Sequence, residues 1–151
     1  MEATFKIWET SRNHYLKFFD AYTLEQLNKI PEGFSNNLIW NIGHVIVVQQ
    51  SLVYRLSGLP TYVTDELINA YKNGSKPTGA TTQAEADQLK GLLITLIEKT
   101  KEDFANGKFM TYNEFTTSTE FHLASLKDAM EFNNYHEAIH LGFMMNIRKF
   151  V

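Results

Sequence analysis

The sequence predicts a single all-α domain over residues 1–151, a four-helix bundle with one long crossover connection. Three observations predict it: four segments with a period of three to four apolar residues, one long polar connection between the second and third, and no strand-rich region. A domain of this length buries roughly 70% of the surface its unfolded chain exposes. With 44% hydrophobic and 13% aromatic residues, the chain has ample material for that core.

In the first segment Phe5, Trp8, Tyr15, Phe19 and Tyr22 step by three and four, with Arg12 interrupting the stripe. Thr23 and Gln26 form a capping box for a short turn from Leu24 to Ile30, closed by Pro31 and Gly33. Ser35 is the expected N-cap of the second helix, which runs to about Ser57 and stops before Gly58-Leu59-Pro60. That helix is apolar around most of its girth, which predicts a central position. From Thr61 to Ala80 the chain is mixed, with one short helix expected near Asp65–Tyr71. Bundle connections usually run ~2–8 residues, so this crossover is long. Thr82 and Glu85 form a second capping box, opening a helix that ends at Asn106-Gly107. Residues 108–118 read as loop or extended chain, and a last helical pattern is expected from near Thr119 to the C-terminus.

Composition excludes several function classes. The chain has no cysteine, so disulfides, iron–sulfur clusters, thiolate zinc sites and a cysteine nucleophile are ruled out, and a reducing cytoplasm is the expected location. Met1 to Trp8 begins an amphipathic helix and lacks the apolar h-region of a signal peptide. No stretch reaches the roughly 20 apolar residues needed to span a bilayer. A formal charge of −3 speaks against a nucleic-acid partner, since phosphate contacts need a basic face.

The chemistry concentrates in the last helix. Its inward seam is expected to read Leu126, Met130, Asn133, His136, His140, Phe143, Ile147. Three polar residues in the middle of an apolar line demand partners or a ligand, because each unpartnered buried group costs on the order of 1–3 kcal/mol. His136 and His140 lie one turn apart and can aim at one ion. A two-ligand site would be weak, and His44 of the second helix, on a face with Trp40, Val48 and Ser51, is the third candidate. Gly43 beside it and Gly142 near His140 suggest close backbone approach. Three neutral imidazoles with an open fourth position describe a catalytic metal site. Asn41, Asn133 and Glu137 are candidates to support the ligands or activate water, and Phe143, Trp40 and Met144 to give the pocket apolar walls. His14 and His122 are expected to be unrelated to the site.

Two motifs carry a family resemblance. Asn36-Asn37-Leu38-Ile39-Trp40-Asn41-Ile42-Gly43-His44 resembles the second-helix signature of the DinB-like (damage-inducible, YfiT-like) metalloenzyme family, and His136-Glu137-Ala138-Ile139-His140-Leu141-Gly142 its last-helix signature. The resemblance implies a four-helix bundle of unusual connectivity, often dimeric. It further implies a nickel, zinc or similar ion on His44, His136 and His140, with thiol cosubstrates such as bacillithiol or mycothiol in better-understood relatives. Relatives commonly carry Gln where this chain has Phe143, which makes the pocket more apolar. The expected function is a metal-dependent thiol transferase or hydrolase acting on a small molecule, with Glu137 as the catalytic residue. A non-catalytic metal-binding or structural homodimeric stress protein is the alternative. His136-Glu137-Ala138-Ile139-His140 also fits the H-E-x-x-H zinc-protease pattern. Only eleven residues follow His140, however, and none of them is Glu, Asp or His.

Overall fold

A computed structural model describes residues 1–151. Four long helices form the body: α1 (Glu2–Ala21), α3 (Leu38–Gln50), α5 (Gln83–Ala105) and α6 (Leu126–Ile147). Two short helices, α2 (Leu24–Asn28) and α4 (Asp65–Tyr71), lie in the connections. α1 packs on α5 and α6, and α3 packs on the same two helices, so α1 and α3 occupy opposite corners. The crossover carries α4 back against α3. No helix is long and apolar enough to cross a membrane.

The caps show why the helices start where they do. Both expected capping boxes are formed, Thr23 with Gln26 and Thr82 with Glu85. α3 begins at Asn37 and not Ser35: the Asn37 side chain accepts from the Trp40 amide at 2.9 Å and donates to the Asn28 carbonyl at 2.8 Å. One residue thereby caps α3 and ties it to α2. Gly58 and Gly107 end their helices with positive φ, the conformation that favours glycine.

Two stretches differ from the sequence reading. After Gln50 the second helix continues as a π-helical turn, Ser51–Arg55. This register change lets the consecutive residues Leu52, Val53 and Tyr54 all be buried, Leu52 against Leu123 and Ala129, and the other two in a cluster with Trp8, Ile97 and Met130. The last helix starts at Leu126, capped by Ser125 with the Asp128 amide, and not near Thr119. The residues before it form a hairpin of β1 (Phe115–Thr116) and β2 (His122–Leu123). The Ser125-x-x-Asp128 spacing was the missed signal, as a cap that outweighs the weak helical pattern preceding it.

The inward seam of α6 is also turned relative to expectation. It runs Met130, Asn133, Glu137, Met144, Ile147, all buried. Glu137 is 1% exposed and Arg12 is 0% exposed. The guanidinium is forked onto the carboxylate, Nη2 to Oε1 at 2.7 Å and Nε to Oε2 at 3.0 Å. Arg12 also donates to the Val45 carbonyl of α3 at 3.2 Å, and the Tyr15 hydroxyl donates to the Glu137 carbonyl. The residue that interrupts the aromatic stripe of α1 is thus the one that reaches two other helices.

Replacing Arg12 by Met should leave a buried carboxylate unpaired and lower the unfolding free energy by about 3–5 kcal/mol. The double variant Arg12→Met/Glu137→Leu should recover most of that loss. Urea titration of the chelator-treated proteins checks both, and equal losses in the single and double variants would show that the pair is not the cause.

Candidate metal centre

His44 projects from α3, and His136 and His140 from α6, the flank of α6 beside its buried seam. One nitrogen from each ring falls within a group spanning at most 4.8 Å. His44 and His136 approach through their Nε2 atoms at 3.2 Å.

Two of the rings are held in a fixed orientation. His44 Nδ1 donates to the Tyr71 carbonyl at 2.6 Å; a carbonyl only accepts, so this nitrogen carries the proton and Nε2 keeps its lone pair. His140 Nδ1 lies 2.8 Å from Asn41 Oδ1. Asn41 Nδ2 donates to Asn36 Oδ1 and the Asn37 carbonyl, which fixes the amide and leaves its oxygen to accept from His140. His140 is therefore also protonated on Nδ1, with its Nε2 lone pair free. His136 Nδ1 is buried without a partner.

Gly43 is what permits the first of these supports. A Cβ there would stand 2.4 Å from the Tyr71 ring, so only glycine lets α4 lie close enough for its last carbonyl to reach His44. Gly142 has open space around it, and the close approach expected there is not found.

Electrostatics keep the rings uncharged. Burial is the main cause of a lowered pKa at all three, opposed at His44 by its bond to Tyr71 and reinforced at His136 by His140, His44 and Arg12. His136 is pushed down to about 2 and His140, by burial and His44, to about 3. At neutral pH the group presents neutral imidazoles whose ring nitrogens converge. A cation is the chemical complement of that arrangement, and imidazole donors suit zinc, nickel, copper or iron. The residues present therefore fit a divalent transition metal.

The histidines line a cavity of about 740 Å³. Trp40 stacks on His44 with ring centroids 4.8 Å apart, Phe132 lies along His136, and Phe143 stands edge-on to His140. The hairpin contributes Phe115 and Thr117 to Thr119 to the same cavity. Sequence reasoning did not include these residues, because nothing in the pattern of 108–118 shows that a hairpin folds back over the histidines.

Other expected site residues go elsewhere. Glu137 does not face the cavity: its carboxylate is engaged by Arg12 and by Asn133 Nδ2, at 2.8 Å for the latter, in the core. Asn133 supports that pair and no histidine. Met144 is in the core and does not wall the cavity. His14 is exposed on α1, and His122 is on β2 beside Glu114, both outside the site.

A family model described as the DinB superfamily matches residues 7–144, nearly the whole chain. No curated protein matches it.

Gly43→Ala should displace the Tyr71 ring, lower stability by about 1–3 kcal/mol and weaken cobalt binding about tenfold or more. Gly142→Ala, with room for its methyl group, should raise stability by up to about 1 kcal/mol. Urea midpoints and cobalt titrations of the two variants test the contrast.

A second expectation concerns acid. The folded-state pKa of each histidine lies below the unfolded value of about 6.5, so the unfolded chain takes up protons first. The stability these residues contribute is complete above about pH 6.5 and is lost as pH falls from there toward the folded values, at up to about 1.4 kcal/mol per unit per histidine. Unfolding free energies of chelator-treated protein, measured from about pH 7.5 down to about pH 5, should show this fall, and His136→Gln should make it shallower.

Proposed function

The chain belongs to the DinB superfamily, and from that premise we propose that it is a divalent-metal protein, a thiol transferase or hydrolase for a small molecule. The observation that carries this reading is the convergence of three neutral imidazoles on the floor of an open cavity with no carboxylate in its lining. His44, His136 and His140 would hold the metal, zinc or nickel being the ions that the family resemblance implies and that three neutral nitrogen donors suit. When bound, the metal would supply Lewis acidity, lowering the pKa of a thiol or water that reaches it.

The chain's own residues do the rest. Tyr71 and Asn41 hold two of the rings with their Nε2 atoms inward, so that the donor set is organised in advance. Trp40, Phe132 and Phe143 exclude water from one side of the cavity and give the substrate's apolar part a surface. Glu137 is committed to Arg12, so a general base is not drawn from that residue, and the minimal metallopeptidase reading loses the carboxylate it requires. The cosubstrate in the transferase reading is a low-molecular-weight thiol. We place the protein in the cytoplasm, in keeping with a cysteine-free chain, and as a homodimer, supported by the aromatic group Phe121, Phe132 and Tyr135, of which Phe121 and Tyr135 are exposed.

A non-catalytic metal-binding or structural stress protein is the second reading, favoured by Phe143 at 54% exposure, an apolar group where the family resemblance implies Gln. The open cavity favours the enzyme.

Metal analysis of untagged protein purified without chelator should give about one equivalent of transition metal per chain, and none in a folded His136→Ala/His140→Ala variant. Metal-dependent turnover retained by a folded His44→Ala variant would overturn the three-histidine site.

A further inference from the structure

We propose that the histidine cavity takes a small amphipathic monoanion, an aryl or branched-alkyl carboxylate, whose charge pairs with Lys72 while its body lies on the aromatic wall. The inference rests on the reading of this cavity as the substrate site and goes beyond it by naming the ligand's charge and polarity.

The lining has an unusual charge pattern. Acidic residues outnumber basic ones in the chain, 17 to 14, yet no aspartate or glutamate lines the cavity. Its one charged side chain is Lys72. No carboxylate forms a salt bridge with that ammonium, which donates only to the Asn69 side chain at 2.9 Å. The Lys72 ammonium is exposed and hydrated, so an anion gains an attraction there that an uncharged ligand lacks, and a cationic ligand would be repelled. A divalent ion on three neutral histidines would add positive charge to the same cavity and strengthen the preference for an anion.

Lys72 is also well placed by the chain. It directly follows Tyr71, whose carbonyl holds His44 and whose ring is pinned over Gly43. The backbone that carries the charge is therefore anchored to the same element that orients a ligand ring. The remaining surface is apolar where Val47, Leu52, Phe132 and Ile139 contribute, and hydroxylated at Ser118 and Thr119. A volume of about 740 Å³ has room for an aryl acid, within the usual ~300–1,000 Å³ of small-molecule sites.

The test is calorimetric titration with para-(sulfanylmethyl)benzoate and with its uncharged primary amide, each into cobalt-loaded and chelator-treated protein. The acid should bind about fivefold or more tightly than the amide in both forms, and less so at high salt. In chelator-treated protein Lys72→Gln should bring the acid down to the amide's affinity and leave the amide unchanged, and Lys72→Glu should reverse the preference. In the cobalt-loaded form Lys72→Gln should lower the acid's advantage by the same factor. Equal affinities in the parent, binding of neither compound, or an acid preference that survives Lys72→Gln in chelator-treated protein would overturn the proposal. Failure of the parent to develop a cobalt spectrum would sink the metal reading instead, while the acid–amide comparison in chelator-treated protein still decides the role of Lys72.

Discussion

A guanidinium and a carboxylate, both withdrawn from water, set the rotation of α6, and the candidate site follows from that rotation. Burying either charge alone costs several kcal/mol, so Arg12 and Glu137 are tolerable inside only as a forked pair with most of their other valences used, Arg12 Nη1 alone lacking a partner. Arg12 uses another on Val45 of α3, and Asn133 adds a donor to Glu137. With Glu137 turned to the core, the helical repeat puts His136 and His140 on the flank of α6 that meets α3. There their rings meet His44 on the floor of the cavity. A purely apolar seam would bury as much surface but would specify this rotation less sharply.

A second constraint works from the outside of the bundle. The crossover that follows α3 is long for a bundle connection, and its length is used: α4 folds back against α3, and its last carbonyl fixes the tautomer of His44. Gly43 removes the one Cβ that would block the approach. Asn41, one turn before His44, does the corresponding work for His140 across the helix interface. The α3 segment from Asn36 to His44 thus caps its own helix, supplies one imidazole and orients another.

The cavity combines these supports with a particular electrostatic character. Its imidazoles are neutral because burial disfavours their charged forms. The only acid close to the ligand helix face in sequence, Glu137, is neutralised by Arg12. Aromatic rings stack on His44 and His136 and stand edge-on to His140, limiting water on one side, while the hairpin closes over another. Such a site favours cations at the nitrogens and anions in the surrounding space.

The four helices, both capping boxes, the long crossover and the three histidines are legible in the sequence, because period, caps and glycine–proline stops are local signals. Its two motifs also pointed to the superfamily to which the chain belongs. What those residues face depends on how the helices pack. Arg12 reads as a break in an aromatic stripe and Glu137 as a candidate base beside a metal, and only the packing of α1 against α6 shows that each is the other's counter-ion. The hairpin over the cavity was hidden because its strands are two residues each and draw their stability from the helices they cover. Gly43 signalled a close approach, but its partner Tyr71 lies 28 residues along the chain, and no local pattern carries information across that distance.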